Sequence, residues 1–113
     1  MIKIYHNPRC SKSRQGVKIL ENSKQKFETI HYLIYIPNES ELKEIIYLLK
    51  ISPIELVRKN EKIWKECYRG IKLTDNEIIK AMIQNPKLIE RPIVIHNEKA
   101  VIGRPPENIH SII

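Results

Sequence analysis

Apolar and polar residues alternate through Ile2-Lys3-Ile4-Tyr5, the period of a half-buried strand. From Ser11 to Asn22 the period changes. That stretch has no proline and carries Val17, Ile19 and Leu20 at helix-compatible spacing. Lys24-Gln25-Lys26 is a polar break, after which Phe27 to Leu33 reads as a second strand. Its two faces carry Phe27, Thr29 and His31 on one side and Ile30 and Tyr32 on the other. A strand, a helix and a strand of this length make a β-α-β unit, whose crossover is expected to be right-handed.

The next stretch is helical. Asn38 followed by Glu41 is an N-cap with its acid at N3, and Leu42, Ile45, Ile46 and Leu49 hold the i, i+3, i+4, i+7 positions of one helix face. Ser52-Pro53-Ile54-Glu55 combines a capping serine, a proline at N1 and a glutamate at N3, so another short helix is expected there. A further helical piece spans 61 to 68, with Ile63, Trp64 and Cys67 on one side, Cys67 standing as a small apolar residue of that face. Gly70 ends it. Thr74 to Glu77 is a second capping box, leading into Ile78, Ile79, Met82 and Ile83, and Asn85-Pro86 stops that helix. The period then returns to two. Pro92 to His96 and Ala100-Val101-Ile102, joined by Asn97-Glu98-Lys99, read as a hairpin, and Gly103-Arg104-Pro105-Pro106 leads into a short terminal helix. The fold class is α/β. With the helical stretch set aside, β-α-β followed by β-β-α is a thioredoxin-like arrangement, so the chain is expected to be a single domain, 1–113, with a helical insertion at about 38–85 between the two halves.

Composition constrains the chemistry more than the fold. With 113 residues, 42% apolar and 29% charged, the chain is long enough for a core without disulfide staples. Cys10 and Cys67 are far apart and form no C-x-x-C pair. No secretory h-region and no apolar run of membrane-spanning length is seen, so a reduced cytoplasmic location is expected. The net charge of +7 raises a nucleic-acid hypothesis. The lysines are nevertheless scattered and interleaved with glutamates, as at Glu41, Lys43 and Glu44, which reads as a solvated surface. His31, His96 and His110 have no metal-ligand spacing, and no metal site is expected.

The candidate chemistry sits in His6-Asn7-Pro8-Arg9-Cys10-Ser11-Lys12-Ser13-Arg14, where a strand ends and a helix begins. A helix N-terminus offers unpaired N–H groups and positive potential, so a thiolate at Cys10 is stabilised and its pKa should fall. Lys12 and Arg14 add positive charge in the same turn. His6 either hydrogen-bonds the thiolate or closes the strand. Arg58 follows Leu56-Val57, Arg91 directly precedes Pro92, and Arg104 stands between Gly103 and Pro105. A guanidinium suits a tetrahedral oxyanion because its planar fork donates two directed hydrogen bonds and stays charged. Arg91 and Arg104 flank the hairpin expected beside the first strand, near Cys10. The proline at Arg91-Pro92 matches one that is commonly cis in thioredoxin-like folds, although the sequence does not fix the isomer.

Taken together, Tyr5 to Arg14, Leu56-Val57-Arg58-Lys59-Asn60, Glu90-Arg91-Pro92-Ile93-Val94, Ile30-His31-Tyr32-Leu33 and Gly103-Arg104-Pro105 resemble the glutaredoxin-coupled arsenate reductase family, ArsC, across essentially the whole chain. The resemblance implies that Cys10 is the nucleophile and that Arg58, Arg91 and Arg104 bind the oxyanion and the arsenic adduct. His6 and Ser13 match polar neighbours of the thiol, and Arg14 is given a supporting role from its place in the loop. It further implies arsenate or a similar oxyanion as substrate, glutathione as co-substrate, glutaredoxin as partner, and no metal or tightly bound cofactor. Where the best-studied arsenate reductases of this type have Gly-Thr after the cysteine, this chain has Ser11-Lys12.

Three rivals are weighed on the same residues. A phosphatase-like arsenate reductase needs C-x5-R, and position 16 is Gly16. A general glutathione-dependent thiol oxidoreductase needs only Cys10 and a thioredoxin-like core. A regulator of the Spx type that binds RNA polymerase usually carries C-x-x-C, whereas this chain has Cys10 and Ser13.

Overall fold

In the computed structural model, which describes Met1–Ile113, the strands are β1 (Ile2–His6), β2 (Phe27–His31), β3 (Ile93–His96) and β4 (Lys99–Ile102). The α-helices are α1 (Ser11–Ser23), α2 (Glu39–Leu49), α3 (Lys62–Cys67) and α4 (Asp75–Gln84). Short 3-10 segments follow prolines at Pro53–Leu56, Pro86–Leu88 and Pro106–Ser111. The chain divides into two compact units, a sheet unit of Met1–Tyr35 with Arg91–Ile113 and a helical unit of Ile36–Glu90. No helix is long and apolar enough to cross a membrane.

In the sheet unit the strand order is β2-β1-β3-β4. β1 runs parallel to β2 and antiparallel to β3, and β3 and β4 form an antiparallel hairpin. The alternation of β1 sends Ile2 and Ile4 into one cluster with Leu20 of α1, Val94 of β3 and Ile109 of the terminal 3-10 segment. Val17, Phe27, Val101 and Ile112 pack around that cluster. Each fully buried aliphatic side chain contributes roughly 1.5–3 kcal/mol, so this cluster fixes α1 against the central strands. The hairpin closes on the two-residue turn Asn97-Glu98, with Asn97 in the left-handed region at φ 58°. Asparagine tolerates that conformation, which matches the twist of the flanking strands.

The helical unit is built from the apolar faces of α2 and α4, where Leu42, Ile45, Ile46, Ile78, Ile79, Ala81 and Met82 are buried. Asn38 caps α2 by accepting from Glu41 N–H at 2.8 Å. Thr74 and Glu77 form the reciprocal box at the start of α4. An isolated antiparallel bridge joins Val57 to Ile89, flanked by Arg58 N–H to Leu88 C=O and Glu90 N–H to Leu56 C=O, both 2.8 Å.

Three local expectations change. The second strand stops at His31, because Ile34 N–H and Tyr35 N–H turn back onto the His31 carbonyl at 3.0 and 2.9 Å. The element after Ser52 is a single 3-10 turn: Val57 is extended and enters the bridge with Ile89, so the helix cannot propagate. Cys67 is exposed instead of packed on the apolar face of α3. Trp64 is buried and stacks on Tyr68, centroids 5.4 Å apart. The Tyr68 hydroxyl accepts from Asn85 Nδ2 at 3.1 Å. The two aromatic rings occupy the packed positions, and Cys67 is left facing solvent.

Candidate active site

Asn7-Pro8-Arg9-Cys10 is a turn that converts the end of β1 into the start of α1. Cys10 N–H donates to Asn7 C=O at 3.0 Å, and Arg9 N–H donates to the Asn7 side-chain oxygen at 3.0 Å. Proline presets the backbone at the second position of such a turn, and asparagine mimics a further turn with its side chain. Cys10 is the N-cap residue of α1, with extended backbone, and its carbonyl accepts the helical bond from Arg14 N–H at 3.0 Å. An N-cap side chain faces the N–H groups of N2 and N3, which are Lys12 and Ser13 here.

The electrostatic consequence is direct. Half-burial opposes ionisation of Cys10 most strongly among the single influences, but the rest act together against it. The Ser13 N–H, the Arg91 guanidinium, the Lys12 N–H and the Arg104 guanidinium all favour the thiolate, and the thiol is held below its ordinary pKa. The sulfur makes no side-chain capping hydrogen bond at rest; the N–H groups act on the charge that appears when the proton leaves. Arg91 and Arg104, thirteen positions apart in the chain, thus meet at one sulfur. Arg91 is 8% exposed, the most buried charged side chain of the sheet unit.

The supporting residues hold the loop. Ser13 is fully buried, and its Oγ accepts from Asn7 N–H at 2.9 Å and pairs with His6 Nδ1 at 2.5 Å. His6 therefore contacts Ser13 through this nitrogen. Burial, then the neighbouring His31, then Arg14 push its pKa below the usual value. His31 lies opposite His6 in the parallel pairing of β1 and β2. Arg14 Nη1 donates to Pro8 C=O at 2.9 Å, tying the second turn of α1 to the loop. The displaced ionisation of Glu55 and Glu77 is explained by their hydrogen bonds to the capping residues Ser52 and Thr74. Cys10 and His6, whose ionisation is also displaced, stand in this loop. Two neighbouring groups with displaced ionisation in one loop are a mark of functional sites.

Pro92 is fixed by close approach. Its ring stands 3.2 Å from where a Cβ on Gly16 would lie and 2.9 Å from one on Gly103, and Gly103 N–H donates to Pro92 C=O at 2.8 Å. The Arg91-Pro92 bond is cis, and so is Arg104-Pro105. The second cis bond was not anticipated from the sequence, nor were the roles of Asn7 and Pro8, although an Asn-Pro dipeptide is a recognised turn signal.

Arg58 belongs to the helical unit. Its guanidinium contacts Glu61 at 2.8 Å and Glu90 at 3.8 Å, which holds its side chain in place beside the Val57–Ile89 bridge. No three His, Cys, Asp or Glu side chains cluster as a metal site.

Known proteins resemble this chain over nearly its whole length. The ArsC family model matches residues 5–112. The uncharacterized protein YfgD of Escherichia coli is 42% identical over 99% of this chain and 96% of its own length. An arsenate reductase of Neisseria meningitidis is 40% identical over 99% of this chain and 97% of its own. The solved structure of an arsenate reductase from Vibrio cholerae superposes with a TM-score of 0.95 at 41% identity, covering 99% of this chain and 97% of that one. The likeness to a solved arsenate reductase extends over nearly every residue and includes the thioredoxin-like order of strands and helices. On both sequence and structure, the chain belongs to the ArsC family.

Proposed function

We propose that this chain is an arsenate reductase in which Cys10 is the nucleophile and external thiols complete the cycle. The observation that carries this reading is the Cys10 thiol, held below its ordinary pKa by backbone N–H groups and by Arg91 and Arg104, in a chain with arsenate reductases among its relatives at about 40% identity. The Cys10 thiolate attacks arsenic(V), forming an S–As bond as a protonated oxygen leaves as water. Arg91 and Arg104, with Arg58 as the third arginine of the family set, offset the oxyanion charge while it redistributes. His6, Ser13 and Arg14 keep the loop in the geometry that presents the sulfur. Glutathione then adds its thiol to the arsenic, and glutaredoxin removes the glutathione sulfur. In balance, two thiols become one disulfide, arsenic takes two electrons to become arsenite, and one water is released. Such a cycle needs a reducing compartment, consistent with the cytoplasm.

The test is arsenate-dependent turnover in the presence of glutathione and glutaredoxin. Cys10→Ser should abolish it, and Arg91→Ala should lower kcat/KM by about tenfold or more, as loss of a charged oxyanion contact does. Turnover confined to mixed disulfides would replace arsenate reduction with a general glutathione-dependent thiol oxidoreductase. Capture of RNA polymerase with no turnover would make the chain a regulator.

A further inference from the structure

The rim of the Cys10 loop carries more positive charge than the oxyanion reading uses. Residues 1–20 contain Lys3, Arg9, Lys12, Arg14 and Lys18 and no acid. Lys3 faces Glu28 at 3.9 Å. The other four follow one another through the loop and the first two turns of α1. Arg9, Arg14 and Lys18 are exposed and Lys12 half-exposed. α1 has no acid in its first turn, and its one acid, Glu21, lies near the far end. In the helical unit, Lys43 is paired with Glu39 at 3.4 Å and Lys62 with Glu66 at 3.7 Å.

Geometry and size narrow what this rim meets. Ser13, Gly16 and Leu20 form the buried face of α1. At about 3.6 residues per turn, Arg14 and Lys18 share one exposed face four positions apart, and Lys12 lies on the opposite flank of the buried stripe. From the start of α1 to Lys18 is roughly 10 Å along the axis at 1.5 Å per residue. That is longer than one tetrahedral oxyanion, so a single bound anion does not occupy it all. The nucleophile sits at one end of this strip, so whatever lies along the rim also reaches Cys10.

We infer that this basic rim is the docking surface for the acidic face of a protein dithiol that resolves Cys10. The inference rests on the reading above, in which an external thiol finishes the cycle. Complementary charge raises the encounter rate and orients the partner, and the rate gain is lost as salt screens it. In the resolving step one partner thiolate takes the group bound to the Cys10 sulfur or bonds that sulfur directly. Its second thiol then closes the partner disulfide, and Cys10 returns as thiolate with two electrons transferred from the dithiol.

The test needs no arsenate. In a Cys67→Ser background, Cys10 is converted to its 2-pyridyl disulfide, and release of 2-thiopyridone followed by recovery of the free thiol is timed. The reductants are a reduced glutaredoxin with an acidic surface and, for comparison, uncharged dithiothreitol. The glutaredoxin rate should fall about tenfold between low salt and about 0.5 M salt, where the Debye length shrinks to a few ångströms. Arg9→Glu combined with Lys18→Glu should lower the low-salt glutaredoxin rate by about tenfold and leave the dithiothreitol rate within about twofold. Lys18→Arg should keep the wild-type rate. A salt-independent glutaredoxin rate, an unchanged rate in the charge-reversed protein, or a parallel fall with dithiothreitol overturns the inference. So does charge-dependent binding of a single-stranded oligonucleotide with unchanged glutaredoxin rates, which assigns the rim to nucleic acid. A protein that passes this test yet reduces no arsenate refutes the substrate and leaves the docking surface standing.

Discussion

A cysteine that caps a helix stands where serine, threonine or aspartate usually does, and its sulfur meets the N–H groups those side chains would occupy. Cys10 adds two guanidinium groups to that position, so its ionised form is favoured despite half-burial. Alkylation of Cys10 followed against pH should therefore show a midpoint below the value of about 8.5 for a free cysteine. Arg104→Ala removes one positive charge and should move the midpoint upward, which the same titration reads. His6 makes a second prediction. Burial, His31 and Arg14 lower its pKa, so below its ordinary value of about 6.5 the unfolded chain binds a proton that the folded chain resists. Stability from this source is complete above that pH and declines as the pH falls through the window toward the lowered folded value. Urea midpoints measured across that window should fall more steeply for the wild type than for His6→Gln. At this scale the sequence pointed to Cys10, because a strand period giving way to a helix period is a local signal. The partner of His6 was not legible, since its place in the sequence allows a bond to the thiolate or a mere strand end, and the fold instead pairs it with Ser13.

The elements are held in relation by a few close approaches. Pro92 lies between α1 and the exit of β4, touching the places where Gly16 and Gly103 lack side chains. Adding a methyl group at Gly103 would bring a carbon to 2.9 Å from the Pro92 ring and 3.2 Å from Ile109. A proline ring cannot rotate away as the end of a flexible side chain can. Gly103→Ala should cost about 1–3 kcal/mol by overpacking, read by chemical denaturation. It should also shift the Cys10 alkylation midpoint, because Arg91 is carried on the displaced segment. The α-helices with capping boxes were readable from the sequence, as Asn38 and Thr74 show, since a cap satisfies backbone groups within one turn. The segment after Ser52 carried the same signal and made only one 3-10 turn. There a pairing between Val57 and Ile89, thirty-two positions apart in the sequence, overrode the local preference.

At the scale of the molecule, the two cysteines belong to different compact units, Cys10 to the sheet unit and Cys67 to the helical unit. Cys67 is exposed, and nothing in its surroundings lowers its claim to be a bystander. Cys67→Ser should leave arsenate turnover and its dependence on external thiol unchanged in the coupled assay; loss of turnover would instead require an internal disulfide relay. The sequence by itself determined the order of strands and helices, the place of Cys10 at the start of a helix and the family resemblance, because periodicity, capping and turn chemistry act over a few residues. Only the tertiary structure decided which distant charges act on the sulfur. Pairing of β3 with β1, and of β4 with β3, carries Arg91 and Arg104 to the thiol across most of the chain length. Tertiary packing also brought Glu90 to Arg58 and left Cys67 in solvent. Such contacts depend on how elements pack, and no stretch of local pattern encodes them.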